Sequence, residues 1–356
     1  MFLYEVMKFE MDQDLRDALD NETNRTSLPL ESVYFTTRPI FSWAMMTIGS
    51  LGIIGNILTL FVYSRLGFST SINISYTALA VSDLFCVLTS MVLGVRFIGI
   101  PLPTRNAQAR GQIFALLGAY PHTAFSRTTS LLTAWISLER CLCVVFPIKV
   151  KIMITRRVTE FAVTTIFLLG CFPLVFLYSG YMTKRQQEPK SNMTSLVLPN
   201  SDGPVGKKFD APALFLFGLV YPIVSSVTVM VCTVALIFKL RQSTRWRRLN
   251  ATAATRGVPP YHSTSTKELR VTRVVVTITS IFLVCSLPTA AHLLAISSVD
   301  GYSGSGHLRY IGWINSMVIV LFAEINSSLN FVIFTASGLR FRQVLLQIMT
   351  GWVCRI

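Results

Sequence analysis

The sequence predicts an all-α protein, a seven-transmembrane helix bundle with a short amphipathic helix after the seventh span. Three observations carry this. The 356 residues are 52% hydrophobic and only 14% charged, with a mean hydropathy of +0.54, against about 25% charged residues in an ordinary soluble domain. Seven apolar runs are long enough to cross a hydrocarbon core about 30 Å thick, which needs about 20 helical residues. The alternating ten-residue segments of a β-barrel are absent, and backbone groups in lipid must otherwise be bonded within their own segment, so the runs read as helices.

In chain order, residues 1–39 form an extracellular N-terminal segment, 40–335 the membrane domain and 336–356 a cytoplasmic tail. The runs are 40–64, 74–96, 113–138, 159–180, 211–238, 274–297 and 310–335. Pro121, Pro173, Pro222 and Pro288 lie inside them and are expected as kinks, tolerated where neighbouring helices satisfy the freed backbone groups. The third run is the least regular, because Pro121, His122 and Arg127 interrupt it. Such groups must be shielded from lipid, which places that helix in the middle of the bundle. In the tail, Leu339, Val344, Leu345 and Ile348 recur at helical spacing with Arg340 and Arg342 on other faces, as expected of a helix lying on the membrane surface. Cys354 beyond it is a candidate for acylation.

Loop charge sets the orientation, since Lys and Arg are retained on the cytoplasmic side. Segments 65–73, 141–157, 239–273 and 336–356 hold 17 basic residues against one acid, Glu268. The other set, 1–40, 96–112, 181–210 and 298–309, holds 13 against 12. The first set is therefore inside and the N-terminus outside, as an odd number of spans demands. The +15 net charge thus belongs to the inner membrane face, and no nucleic-acid partner is implied. Outside placement makes Asn21, Asn24 and Asn192 candidate glycosylation acceptors. No cleavable signal is visible in the first 40 residues, so the first span is expected to direct insertion. Segment 241–270 is basic and rich in Ser and Thr, a cytoplasmic loop open to phosphorylation.

Ionisable groups inside spans are costly and functional candidates by default. Asp83, Arg127, Glu324 and the Glu139-Arg140 pair stand out. The alternative for each is a packing role. No metal-ligand cluster or nucleophile–base pairing emerges, so an enzyme is not expected. A ligand-gated channel or transporter is the alternative class, but neither a ring of like charges nor repeat symmetry is visible.

The motifs around these residues come in a fixed order. They are Gly55-Asn56 in the first span, LAVSDLF around Asp83, ISLERCLCVVFP closing the third, FLVCSLP in the sixth, and NSSLNFVIF followed by LRFRQVL at the seventh. From about residue 40 to 350 the chain resembles a rhodopsin-like (class A) G-protein-coupled receptor, and ERCLCVVFPIKVK is similar to invertebrate, particularly molluscan, peptide and chemosensory receptors. The resemblance implies a plasma-membrane receptor that converts binding of an extracellular peptide or chemosensory small molecule into activation of a heterotrimeric G protein. It also implies an inactive-state lock of Glu139, Arg140 and Glu268, in which the planar guanidinium can bond carboxylates on two helices.

By the same resemblance Asn56, Asp83, Thr129, Asn326, Ser327 and Asn330 surround a sodium ion or a water network; no other cofactor is implied. Phe282, Cys285, Pro288 and Phe334 fall at switch positions. The ligand pocket is expected between the outer halves of the third, fifth, sixth and seventh helices, from Arg96, His122, Arg127, Thr289, His292, Tyr310 and Glu324. Departures are plain. Ser286 replaces the usual tryptophan, Phe331 the proline and Phe334 the tyrosine, and Met230 stands where a tyrosine is usual. Ala115 replaces a cysteine, and the 181–210 loop has none, so the usual extracellular disulfide is missing on both sides. His122 takes the place of the aspartate of amine receptors, which disfavours a monoamine. Glu324 stands where light receptors carry the lysine that forms a Schiff base, which excludes a chromophore held in that way.

Overall fold

The structure is a computed structural model. It describes residues 29–98, 113–146, 150–187, 212–213, 215–254, 266–300, 302 and 308–353, without the side chains of 151–152, 179–187, 243–254, 266–270 and 351–353. Among these residues there are seven helices long and apolar enough to cross a membrane. They are α1 (Pro29–Leu66), α2 (Ser71–Ile98), α3 (Tyr120–Val145), α4 (Arg156–Gln187), α5 (Tyr221–Ala254), α6 (Thr266–Ser298) and α7 (Arg309–Ser337), followed by the short α8 (Leu339–Val353). Asn21, Asn24, Asn192 and Cys354 lie outside the described residues, as does most of the segment 1–39.

Helix α1 begins at Pro29, ahead of the run expected from residue 40, and carries Pro39 inside it. The apolar run marks only the part that lipid requires, whereas the helix continues through the more polar turns before it. Its other end is closed by Gly67, whose φ of +76° suits the left-handed cap and whose N–H donates to the Tyr63 carbonyl at 3.1 Å.

Helix α3 packs against α2, α4, α5 and α6. The expected central placement of the interrupted third span is thus what the bundle shows. Helices α1 and α7 meet closely. A Cβ added at Gly49, Gly52 or Gly55 would strike Glu324, Ser328 or Phe331, so a glycine stripe one turn apart lets the two backbones approach.

The prolines behave in two ways. Pro173 and Pro288 sit inside α4 and α6 as expected. Pro121 and Pro222 instead follow five-residue π turns, Ala115–Ala119 and Leu216–Val220, where the N–H of Tyr120 reaches Ala115 and that of Tyr221 reaches Leu216. A proline removes the N–H its upstream carbonyl expects. The hydroxyl of Tyr178 donates to Leu116 O at 2.7 Å, and that of Tyr221 to Leu169 O at 2.8 Å. Leu169 lies four residues before Pro173 and Leu116 five before Pro121, so each tyrosine fills a bond that a proline deleted. These contacts also fasten α4 to the head of α3 and α5 to α4.

Helix α8 packs on the expected face at Val344, Leu345 and Ile348 and departs from it only at its start. Phe341 and Leu345 are buried, Val344 and Ile348 partly so, while Leu339 is exposed. The turn at Gly338 between α7 and α8 rotates the apolar stripe towards Phe341, whose ring lies 5.6 Å from both Tyr63 and Phe334.

Candidate functional site

The buried polar residues fall into separate groups. At the α8 side of the bundle, the C-terminal third of α3 places Glu139 against the start of α2. Glu139 is fully buried. Its Oε1 accepts from Ser71 at 2.6 Å and from Arg140 Nη2 at 2.5 Å, and its Oε2 accepts from Ser75 at 3.1 Å. A buried carboxylate is stable when its lone pairs are filled in this way. Within the described side chains the ion pair of Arg140 is with its own neighbour. Glu268 lies in the first turn of α6, and its side chain is outside the described residues.

Deeper in the bundle, Asp83 on α2 is fully buried. Its Oδ1 accepts from Thr129 on α3 at 3.0 Å and its Oδ2 from Asn330 on α7 at 2.7 Å, while Ser327 lies beside it. Asn56 on α1 donates its amide to Ser327 O at 3.1 Å, so four helices meet at one carboxylate. The Oδ1 of Asn56 is buried with no hydrogen-bond partner. An all-oxygen set with an unfilled acceptor fits a small hard cation or water.

The switch residues divide. Phe282 and Cys285 line a cavity of about 80 Å³, together with Thr289. Phe334 is buried in an aromatic cluster, its ring 4.7 Å from that of Tyr76. The hydroxyl that tyrosine would bring at 334 is missing, and the buried hydroxyl of Tyr76 beside it has no hydrogen-bond partner.

Three of the seven expected pocket residues line this cavity. His122, Arg127 and Thr289 line it, with Asn326 from α7, whereas α5 contributes no lining residue among those described. The lining comes from α3, α6 and α7. His122 is buried and its Nδ1 lies 3.2 Å from the Cys86 carbonyl. His292 faces Asn315 and the loop residue Tyr302, at 3.2 and 3.0 Å. Tyr310 is packed in an aromatic box with Tyr34 and Trp313. Arg96 sits over the Phe114 ring at 5.7 Å, and Arg38 donates to its carbonyl at 3.2 Å. Glu324 turns towards α1 and α2, where Ser90 donates to its Oε1 at 2.9 Å and Gly49 leaves room for it; its Oε2 has no hydrogen-bond partner.

Residues missed in the sequence include Ser71, Ser75 and Ser90, which bond the buried acids, and Thr123, Ser126 and Ser130, which line the cavity. The last three recur at helical spacing beside Arg127, a hydroxyl stripe legible by period alone. The serines on α2 gave no such signal, since their role depends on which helix lies opposite.

The family model for the 7 transmembrane receptor (rhodopsin family) matches residues 55–334. That span includes the motifs from Gly55-Asn56 to NSSLNFVIF and most of the bundle. The chain belongs to the rhodopsin family of seven-transmembrane receptors. The receptor is also 23% identical over 320 residues to a Gq-coupled rhodopsin of the scallop Mizuhopecten yessoensis, a match covering 86% of this chain and 58% of the relative. The receptor thus spans about three fifths of the length of that curated relative. The free thiols of Cys86, Cys141, Cys143, Cys171, Cys232 and Cys285 agree with the loss of the usual disulfide.

Proposed function

We propose that this protein is a plasma-membrane receptor with its N-terminus outside, which converts binding of an extracellular small molecule or peptide into activation of a heterotrimeric G protein. The observation that carries the reading is the Glu139-Arg140 pair at the α8-side end of α3, where Glu139 is buried against Ser71 and Ser75 of α2. In a two-state receptor, a ligand shifts the equilibrium only by its differential affinity for the two helical arrangements. The Arg140 guanidinium, bonded to Glu139 on one side, has the fork geometry to take Glu268 of α6 as a second partner. Separation of that pair would open the inner face to the G protein. The same reading assigns glycosylation to Asn21, Asn24 and Asn192 and acylation to Cys354. Asp83, Thr129, Asn56 and Asn330 would hold a sodium ion, which would favour one arrangement by binding it more tightly.

The name of the scallop relative supports including Gq among the partners to be tried. A chromophore held as a Schiff base is not part of this reading, because Glu324 cannot form one with an aldehyde.

The test is nucleotide exchange on purified Gq, Gi and Gs heterotrimers driven by the full chain in lipid discs. Glu268→Ala is expected to raise basal exchange severalfold over wild type at equal receptor content. Equal basal exchange overturns the lock, and no exchange on any heterotrimer from either form overturns the receptor function.

A further inference from the structure

We propose that the cavity between α3, α6 and α7 takes a ligand bearing a carboxylate, with the Arg127 guanidinium as its anion partner. The proposal rests on the receptor reading above and names the ligand class of its site. Arg127 lines the cavity, its Nε is buried with no hydrogen-bond partner, and it forms no ion pair among the described residues. No acidic residue is among the lining residues. The buried acids Asp83 and Glu324 are engaged elsewhere: Asp83 by Thr129 and Asn330, and Glu324 by Ser90 on the α1 and α2 side of α7. A guanidinium held away from water without a counter-charge is costly, and a carboxylate brought by the ligand offsets that cost through a charge-assisted, bidentate bond.

The rest of the lining sets the remainder of the ligand. Thr123 and Ser130 donate their hydroxyl hydrogens to carbonyls of their own helix, at 2.8 and 2.9 Å. They therefore face the cavity as acceptors. Opposite them, Phe282, Ile319, Val320 and Ala323 offer an apolar wall. An anionic head with a short apolar body satisfies both sides. An ammonium head would meet Arg127 as a like charge with no carboxylate to hold it.

A carboxylate reaches such a site either as a free organic acid or as the C-terminus of a peptide. The full chain in lipid discs is therefore melted with hexanoate, hexanol and hexylamine, and with one set of tripeptides prepared as free acids and as amides. Wild type is expected to gain thermal stability from hexanoate or from the free-acid peptides, and not from the amine, alcohol or amides. Whichever acid arm acts identifies the source. Arg127→Gln should weaken the acid's half-maximal effect about ten- to a hundredfold, the range for a hydrogen-bonded charged group, and should melt no lower than wild type without ligand. Arg127→Lys keeps the charge and should retain the preference for acids, so it decides the matter if the Gln variant does not fold. No shift with any acid, an equal shift with the amine, or an undiminished shift in Arg127→Gln overturns the proposal. Nucleotide exchange in the same preparations separates the two readings: exchange with no acid effect defeats only the ligand class, and an acid effect without exchange defeats only G-protein coupling.

Discussion

The α8-side network and the cavity treat buried charge in opposite ways. Glu139 has both oxygens filled by Ser71, Ser75 and Arg140, and Asp83 has both filled by Thr129 and Asn330. Arg127, which lines the cavity, has no ion-pair partner among the described residues. In the first region the carboxylates themselves are filled within the chain, while Arg140 Nε and Asn56 Oδ1 beside them have no hydrogen-bond partner. In the second, the lining guanidinium of Arg127 lacks a hydrogen bond at Nε as well as an ion pair among the described residues. Buried polar groups left unsatisfied cost more than satisfied ones contribute, so incompleteness marks the place where something else binds.

Removing a carboxylate from the first region breaks this contrast most strongly. Glu139→Ala leaves the guanidinium of Arg140 and two hydroxyls without their acceptor, and a broken buried pair costs about 3–5 kcal/mol. The purified receptor should melt several degrees lower, and an unchanged melting curve would show that the network carries no stability. A smaller effect is expected where α1 meets α7. A Cβ at Gly49 would fall on the Glu324 carboxylate and 2.8 Å from Met91 Cγ, and overpacking of this kind costs about 1–3 kcal/mol. Glu324→Ala in the Gly49→Ala background should recover part of it, and strict additivity of the two changes in a double-mutant cycle would disprove the contact.

Tyr221→Phe removes a single bond to Leu169 O and should cost about 1 kcal/mol. No loss would mean that the carbonyl freed by Pro173 is served otherwise. Asp83→Asn, nearly isosteric, should change stability least. It should abolish any difference in melting between sodium and choline chloride, and a sodium effect that survives it places the ion elsewhere.

Much of this was legible in the sequence. The seven spans follow from the thickness of lipid alone, and the central place of α3 follows from the cost of His122 and Arg127 in hydrocarbon. Asp83, Thr129 and Asn330, singled out together through their motifs, are joined in the bundle by hydrogen bonds to the Asp83 carboxylate. Of the expected pocket residues, Arg96, His292, Tyr310 and Glu324 do not line the cavity between α3, α6 and α7; they face different neighbours, because helix rotation is set by packing rather than by position along the chain. The π turns were equally hidden. Each inserts a residue and turns the segment before it by about 100°, so counting back from Arg140 to Ala115 passes through a break in register.

The bonds from Tyr178 and Tyr221 to carbonyls beside prolines have a further consequence for chemistry in the bath. They join three helices near the end where a sulfur–sulfur link is usual, and dithiothreitol has nothing in them to reduce.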